Sequence, residues 1–364
     1  MTEIPIQNVY YLLCYAWDQM EAGQIVETGA RGHTELADLF AQMLVAGTQR
    51  VLRQGLDRGY VTTEEATSRI RGRIDFGTSL KQAHLPRAQA HCHYDELSRN
   101  VLHNRILRST VKQLLGLVSL KDRLRDDLRR LDRRLDGIDP VPLTASVFSR
   151  VQLHAGNAFY RFLMNVCELI QQQTVPREGG EGQRFRDFRR DDATMWKVFE
   201  RFVYNFYRHE QDEYSVERPQ VMWDFDGLVP KETRQRFPGM QTDVVLEPTA
   251  QTPADRALII DTKFYGDTLQ AHHGRQSYHS ANLYQLFAYL KNAEAKGEPY
   301  AHADGLLLYP TTEHEIEDAA TIQDHKIRIG TINLAQDWSG IRRDLLQLIK
   351  ETPTEGEEKS ASVG

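Results

Sequence analysis

The chain has 364 residues, 40% of them hydrophobic and 26% charged, and 45 basic against 51 acidic side chains give a formal net charge of −6. That length fits two domains with proper cores. The charge excludes a globally basic nucleic-acid binder but leaves room for a local basic groove. No apolar run reaches the ~18–20 residues of a membrane span. Cys14, Cys92 and Cys167 are an odd set without a paired CxxC, which argues against a disulfide framework or a cysteine zinc site. The start also lacks the basic region and small-residue cleavage site of a signal peptide, so a reducing, cytoplasmic protein is expected.

Pro5 followed by Ile6, Val9, Tyr10 and Leu13 predicts a helix over 5–17. A second helix is expected over 34–54, with Leu36, Phe40, Met43, Gly47 and Val51 on one face and Gly55 as its stop. Residues 68–76 and 88–93 have strand character, and 98–118 reads as a third helix. The segment 121–136 places Leu124, Leu128, Leu131 and Leu135 at helical spacing among charges of both signs. Its aspartates offset most of its arginines, so a solvated amphipathic helix is favoured over a basic arm for DNA. Gly137–Pro142 then breaks the helix and suggests a domain border. Beyond it come helices over 151–173, 194–210, 280–294 and 338–350, and strand-like runs at 221–226, 240–246, 257–263 and 305–309. A Gly- and Glu-rich loop occupies 176–183, and the acidic stretch 351–364 is too poor in apolar residues to fold. Strands mixed with helices make the second half α/β.

The chemistry concentrates on Asp243 and on Asp261-Thr262-Lys263. Two apolar strands separated by about ten residues read as an antiparallel hairpin. Alternation puts Asp261 and Lys263 on one side and Thr262 on the other, with Asp243 within reach from the neighbouring strand. Carboxylates about 4 Å apart repel by roughly 1–4 kcal/mol, a cost that a hard divalent ion removes. Mg²⁺ takes one or two carboxylates and keeps water and phosphate oxygens as its other ligands. The pattern is therefore that of a D…(D/E)-x-K nuclease core, in which the metal activates water and the lysine offsets developing charge. Taken alone, D-x-K with an upstream Asp is a weak signal for which a surface salt bridge at a strand end is the favoured reading; the apolar strands that end at the motif and near Asp243 strengthen the nuclease reading.

Glu200 falls on a helical stripe with Trp196, Phe199, Val203 and Tyr207. It reads either as a third acid at the metal or as a carboxylate paired with an arginine. Gln285 and Tyr289 share a helix face at i, i+4, a pair that accompanies D-x-K in nuclease cores. Arg184, Arg186, Arg189 and Arg190 interleave with Phe185 and Phe188, a pattern suited to DNA-backbone contact. His91 and His93 share a strand face, but no further ligand at metal-site spacing accompanies them. His272-His273 reads as a solvated turn. No GxxxxGK[ST] occurs, so GTP binding by this chain is not expected.

The chain resembles the McrC family, the nuclease subunits of McrBC modification-dependent (5-methylcytosine-specific) restriction systems, within the PD-(D/E)XK superfamily. The likeness runs nearly end to end. It is carried by Ile4 to Leu13 with Tyr15-Ala16-Trp17, by Arg71 to Phe76 and by Asn104 to Leu107. Arg184 to Phe188, Thr242-Asp243, Asp261 to Tyr265, Asn282 to Gln285, Leu308-Tyr309-Pro310 and Thr331 to Leu334 complete it. The residue before Asp243 is Thr rather than the Pro of the wider superfamily.

The resemblance implies a mixed α/β (α+β) protein. An α-rich docking domain over 1–148 would precede a restriction-endonuclease-like domain over 149–350, with a mixed sheet flanked by helices and a disordered tail over 351–364. It implies Asp243, Asp261 and Lys263 as catalytic residues, Gln285 and Tyr289 as supporting ones, and metal held by Asp243, Asp261, the Thr262 carbonyl and Glu200. The ion would be Mg²⁺, with Mn²⁺ as a substitute. The implied partners are double-stranded DNA and an McrB-like AAA+ GTPase hexamer, which binds the GTP and docks on the N-terminal domain; no membrane is involved. Two alternatives stay open at this point: a non-enzymatic adaptor of an AAA+ motor, and a stand-alone DNA-repair nuclease.

Overall fold

A computed structural model describes residues 4–20, 35–154, 157–177, 182–252, 254–265, 269–272, 275–311 and 315–350, without the side chains of 269–276. The expected tail, part of the 176–183 loop, and the side chains of His272 and His273 lie outside the described residues. Among the described residues, no helix is long and apolar enough to cross a membrane.

The chain forms two compact units, Glu21–Arg186 and a second built from Met1–Met20 with Asp187–Gly364. This corrects the expected border near 148 in two ways. Gly137 to Pro142 does not link domains, because it is laced onto its own unit: Arg108 donates to Ile138 O at 2.5 Å and Val141 N donates to Ser109 Oγ at 2.7 Å. The opening helix α1 (Ile6–Ala16) belongs with the C-terminal residues.

In the Glu21–Arg186 unit, α2 (Leu36–Gln54) leads into β1 (Gly59–Thr67), β2 (Arg73–Ile74), α3 (Phe76–Lys81) and β3 (Ala90–Ser98). The strands form an antiparallel sheet in the order β1-β3-β2. The strand expected over 68–76 is only its last part, and 59–67 pairs instead. Then come α4 (Leu102–Leu115), α5 (Asp122–Arg134), α6 (Ala145–Phe148), α7 (Ala158–Gln173), and the short β4 (Thr174–Pro176) and β5 (Gln183–Phe185). Helix α2 packs on α5 and α7. Gly47 permits this, since a Cβ there would lie 2.4 Å from Leu163. On α5 the leucines are buried while Arg129 pairs with Asp126 on the surface, which is the solvated amphipathic helix.

The second unit continues with α8 (Asp192–Glu210), β6 (Tyr214–Glu217), β7 (Gln220–Val221), α9 (Lys231–Arg234), β8 (Met240–Gln241), β9 (Val244–Pro248) and β10 (Leu258–Thr262). After the ribbon β11 (Leu269–His272) and β12 (Arg275–Tyr278) follow α10 (Ser280–Ala293), β13 (Asp304–Pro310), β14 (Glu317–Ile322), β15 (His325–Ile332) and α11 (Trp338–Leu348). The strand expected over 221–226 is therefore short, and the one expected over 240–246 splits into two.

The central sheet runs β14-β15-β13-β10-β9-β6. Its middle strands β10, β13 and β15 are parallel, and the other pairings are antiparallel. Strands buried on both faces read as continuous apolar runs. Val245, Ile259, Leu307 and Ile329 share a core with Leu286 and Leu290 of α10. The alternate residues Val244, Leu246, Ile260 and Leu306 face the other way and are equally buried, with α8 contacting β10 and β6.

Helix α1 is built into this unit by side chains that the start motif supplies. Asn8 Nδ2 donates to Leu334 O at 2.8 Å and to Gln336 O at 2.7 Å. Tyr11 and Tyr15 stack on Trp338 at 4.8 and 5.3 Å. Asn205 donates to Tyr15 O at 2.8 Å, and the Tyr15 hydroxyl bonds Glu210, which also holds Arg342 at 2.6 Å. The start motif is thus a structural clasp for α8 and α11.

Candidate active site

Strands β9 and β10 pair antiparallel with Leu246 opposite Leu258, which is the expected hairpin. It ends where Asp243, Asp261, Thr262 and Lys263 are all buried. Lys263 Nζ lies 2.8 Å from Asp261 Oδ2 and donates to Gln285 Oε1 at 2.8 Å. Gln285 Nε2 donates to Tyr289 Oη at 2.7 Å, and that hydroxyl donates to Gln241 O at 3.1 Å. An ammonium is donor-only, so it sets the direction of the whole chain and the orientation of the amide. Gln285 and Tyr289 therefore form one relay that aims the lysine.

Asp243 is held by a contact that strand alternation does not reveal. Its Oδ2 accepts from the backbone N–H of Thr262 at 2.7 Å and from the Thr262 hydroxyl at 2.8 Å. Thr262 does alternate away from Asp261, yet its side chain anchors the other carboxylate. Only its carbonyl was expected to matter.

Glu200 takes the arginine-paired reading, close enough to Asp243 to feel its charge. It is paired with Arg218 of the β6–β7 connection, whose guanidinium also lies over Tyr204 at 5.5 Å. Burial raises its pKa, the Asp243 charge adds to the rise, and Arg218 opposes it. Trp196 departs from the expected stripe: it is half exposed, while Met195, Phe199, Phe202 and Val203 fill the core. Arg218 and the Gln241 carbonyl were not legible in advance, because only strand pairing brings them here.

Burial pushes the Asp261 carboxyl up to about 7, with Lys263 opposing and Asp243 and Glu200 reinforcing the shift. Tyr289 is pushed up to about 12, chiefly by burial. Despite the adjacent ammonium, Asp261 Oδ2 accepts no well-directed hydrogen bond among the described residues. Three carboxylates thus face two cations, and one buried acid oxygen is poorly satisfied. That donor set suits a hard divalent cation.

The four arginines are divided between the two units. Arg184 and Arg186 fall in the Glu21–Arg186 unit, and Arg189 and Arg190 in the other. Arg189 is fastened to Asp187 at 2.6 Å and to Ile4 O at 2.9 Å, so it has a structural task.

Residues 7–310 match the family described as "McrBC 5-methylcytosine restriction system component". The chain belongs to the McrBC family. It is 30% identical over 348 residues to the type IV methyl-directed restriction enzyme EcoKMcrBC of Escherichia coli (strain K12), covering 96% of this chain and 98% of the relative. Its fold is similar to a chain of the refined half-complex from the tetradecameric assembly of Thermococcus gammatolerans McrB AAA+ hexamers with bound McrC. That match has a TM-score of 0.55 and 17% identity, and covers 95% of this chain and 76% of the other. The chain is thus a restriction-system component of mixed α+β fold related to a restriction enzyme.

Proposed function

We propose that the chain is the nuclease subunit of a GTP-driven, modification-dependent restriction complex and hydrolyses DNA phosphodiesters with Mg²⁺. The observation that carries this reading is the convergence of Asp243 and the Asp261–Lys263–Gln285 constellation at one hairpin end. Asp243, Asp261 and the Thr262 carbonyl would hold the ion, with Glu200 beside them. When bound, Mg²⁺ polarises the phosphodiester and lowers the pKa of a coordinated water.

The chain's own groups do the rest. Lys263 donates to Gln285 and pairs with Asp261 by charge, which leaves N–H donors for the scissile phosphate or the attacking water. An ammonium fixed in a buried site offsets transition-state charge without reorganising. Water attacks phosphorus and gives up a proton to solvent, one P–O ester bond breaks, and the leaving oxygen takes a proton from solvent.

The similar fold of a chain from the Thermococcus gammatolerans complex of McrB AAA+ hexamers with bound McrC supports an AAA+ GTPase hexamer as partner and GTP as the partner's ligand. Docking and stimulation of GTP turnover are assigned to the Glu21–Arg186 unit, which exposes Tyr60, Ile70, Phe76 and Leu80.

The decisive experiment combines the chain with its AAA+ partner and methylated double-stranded DNA, with and without GTP and Mg²⁺. Cleavage should need all of them, and the lone chain should cut poorly because its net charge of −6 gives no general attraction to DNA. A complex that hydrolyses GTP without cutting DNA would make the chain an adaptor. Efficient cutting of unmodified DNA by the lone chain would make it a stand-alone nuclease.

A pH dependence follows from Asp261. Its carboxyl must ionise to hold metal, and its pKa stands near about 7 without one. Mg²⁺ affinity should therefore rise about tenfold per pH unit below about 7 and level off above it. Calorimetry in two buffers of different ionisation enthalpy should find close to one proton released at the acid end. A flat affinity would refute the role of Asp261.

A further inference from the structure

The sheet of the Glu21–Arg186 unit carries a second group of ligand-type side chains. His91 and His93 project from one face of β3, while Cys92 between them is buried on the other. Strand β1 supplies Glu64 directly opposite His93, in the register that also pairs Ala66 with His91. One ligand atom from each of Glu64, His91 and His93 lies within 4.8 Å of the others. Glu64 Oε1 is 2.9 Å from His93 Nδ1. Gly72 lets β2 close over this region, since a Cβ there would lie 2.3 Å from His93 O.

Two further observations separate this group from an ordinary surface ion pair. His91 Nδ1 is withdrawn from solvent and has no hydrogen-bond partner among the described residues. A buried unsatisfied ring nitrogen costs roughly 1–3 kcal/mol, and no contact of the Glu64–His93 pair relieves it. The other nitrogen of His93 faces Asp75, with Nε2 3.8 Å from Oδ2. Asp75 is itself fixed as the cap of α3, accepting from Thr78 N at 3.0 Å and Thr78 Oγ1 at 2.6 Å. A carboxylate behind the far nitrogen of a ligating histidine is the usual outer support of such a ligand.

We propose that Glu64, His91 and His93 bind a divalent transition-metal ion of the zinc class. Two imidazoles and one carboxylate favour such an ion over Mg²⁺, which prefers oxygen alone. Three protein ligands leave a fourth position for water or for a group from a partner. The ion ties β1 to β3 and, through Asp75, to the start of α3. It thereby braces the sheet whose neighbouring surface exposes Phe76 and Leu80.

The test uses Co²⁺ as the probe on the full chain carrying Asp243→Ala and Asp261→Ala, which removes the carboxylate site from the measurement. One equivalent of Co²⁺ should give the intense visible absorption of a four-coordinate site, and Zn²⁺ should displace it. In that background, His91→Gln and Glu64→Gln should each weaken binding at least about tenfold, and Asp75→Asn about tenfold. Glu64 is exposed on its strand, so Glu64→Gln keeps the test valid if a histidine variant fails to fold. Absence of the absorption in the folded chain overturns the proposal, as does undiminished binding in Glu64→Gln. A thiolate charge-transfer band would also overturn it, by assigning the ion to cysteine.

Discussion

Asp261→Ala and Asp243→Ala should each abolish DNA cleavage in the assembled complex. A metal site supplies several kcal/mol of transition-state stabilisation. At ~1.4 kcal/mol per factor of ten, losing a ligand should cost about 10³-fold or more in the single-turnover rate. GTP hydrolysis by the partner should persist, because neither acid belongs to the Glu21–Arg186 unit. Cleavage retained by either variant would remove that residue from the site.

The two positions should separate on stability, measured in chelator so that no metal contributes. Asp243 accepts the buried Thr262 N–H and hydroxyl. Asp243→Ala leaves both unpaired and should destabilise the chain by about 1–3 kcal/mol. Asp261 behaves in the opposite sense. Its folded-state pKa, about 7, is raised above the ordinary 3.8, so the folded chain holds that proton more tightly than the unfolded one. The stability tied to this group therefore falls as pH rises from about 4 to about 7. Asp261→Asn should melt higher than the wild type at pH about 8, and the gain should vanish below pH about 4. Equal melting shifts for the two substitutions would contradict this account of the site.

The second large effect is expected at Lys263. Lys263→Ala should lower the single-turnover cleavage rate by about 10²–10³, the size seen when one preorganised charge-stabilising donor is removed. DNA affinity at fixed salt should change only a few-fold, since one phosphate contact is a small part of a polyelectrolyte interface. Lys263→Arg should not rescue it, because a planar guanidinium cannot adopt the compact geometry that reaches both Asp261 and Gln285. Binding and single-turnover cutting measured on the same preparation decide the matter. A large loss of affinity with normal cutting would make Lys263 an anchor rather than a participant in the chemistry.

Most of the long helices and the core of the site are legible in the residue order because their signals are local. The leucines of α5 mark its buried stripe without reference to any other element. Period-2 alternation pairs Asp261 with Lys263, and the i, i+4 rule pairs Gln285 with Tyr289. The family likeness of the start motif is equally visible, but not its place. Asn8 and Tyr15 are polar or amphipathic residues whose partners, Leu334 O, Trp338 and Glu210, stand far along the chain.

What the amino-acid order determined by itself is therefore the chemistry available: two acids and a lysine on a hairpin, an amide and a phenol on one helix face, and no nucleotide loop. The tertiary structure decided which charges neutralise which. It gave Glu200 its Arg218, tied Asp243 to the Thr262 hydroxyl, set Glu64 against His93, and moved the opening helix into the C-terminal unit. The physical reason is range. Backbone periodicity and side-chain alternation act over a few residues, whereas burial, charge pairing and strand register depend on segments that meet only after the whole sheet has formed.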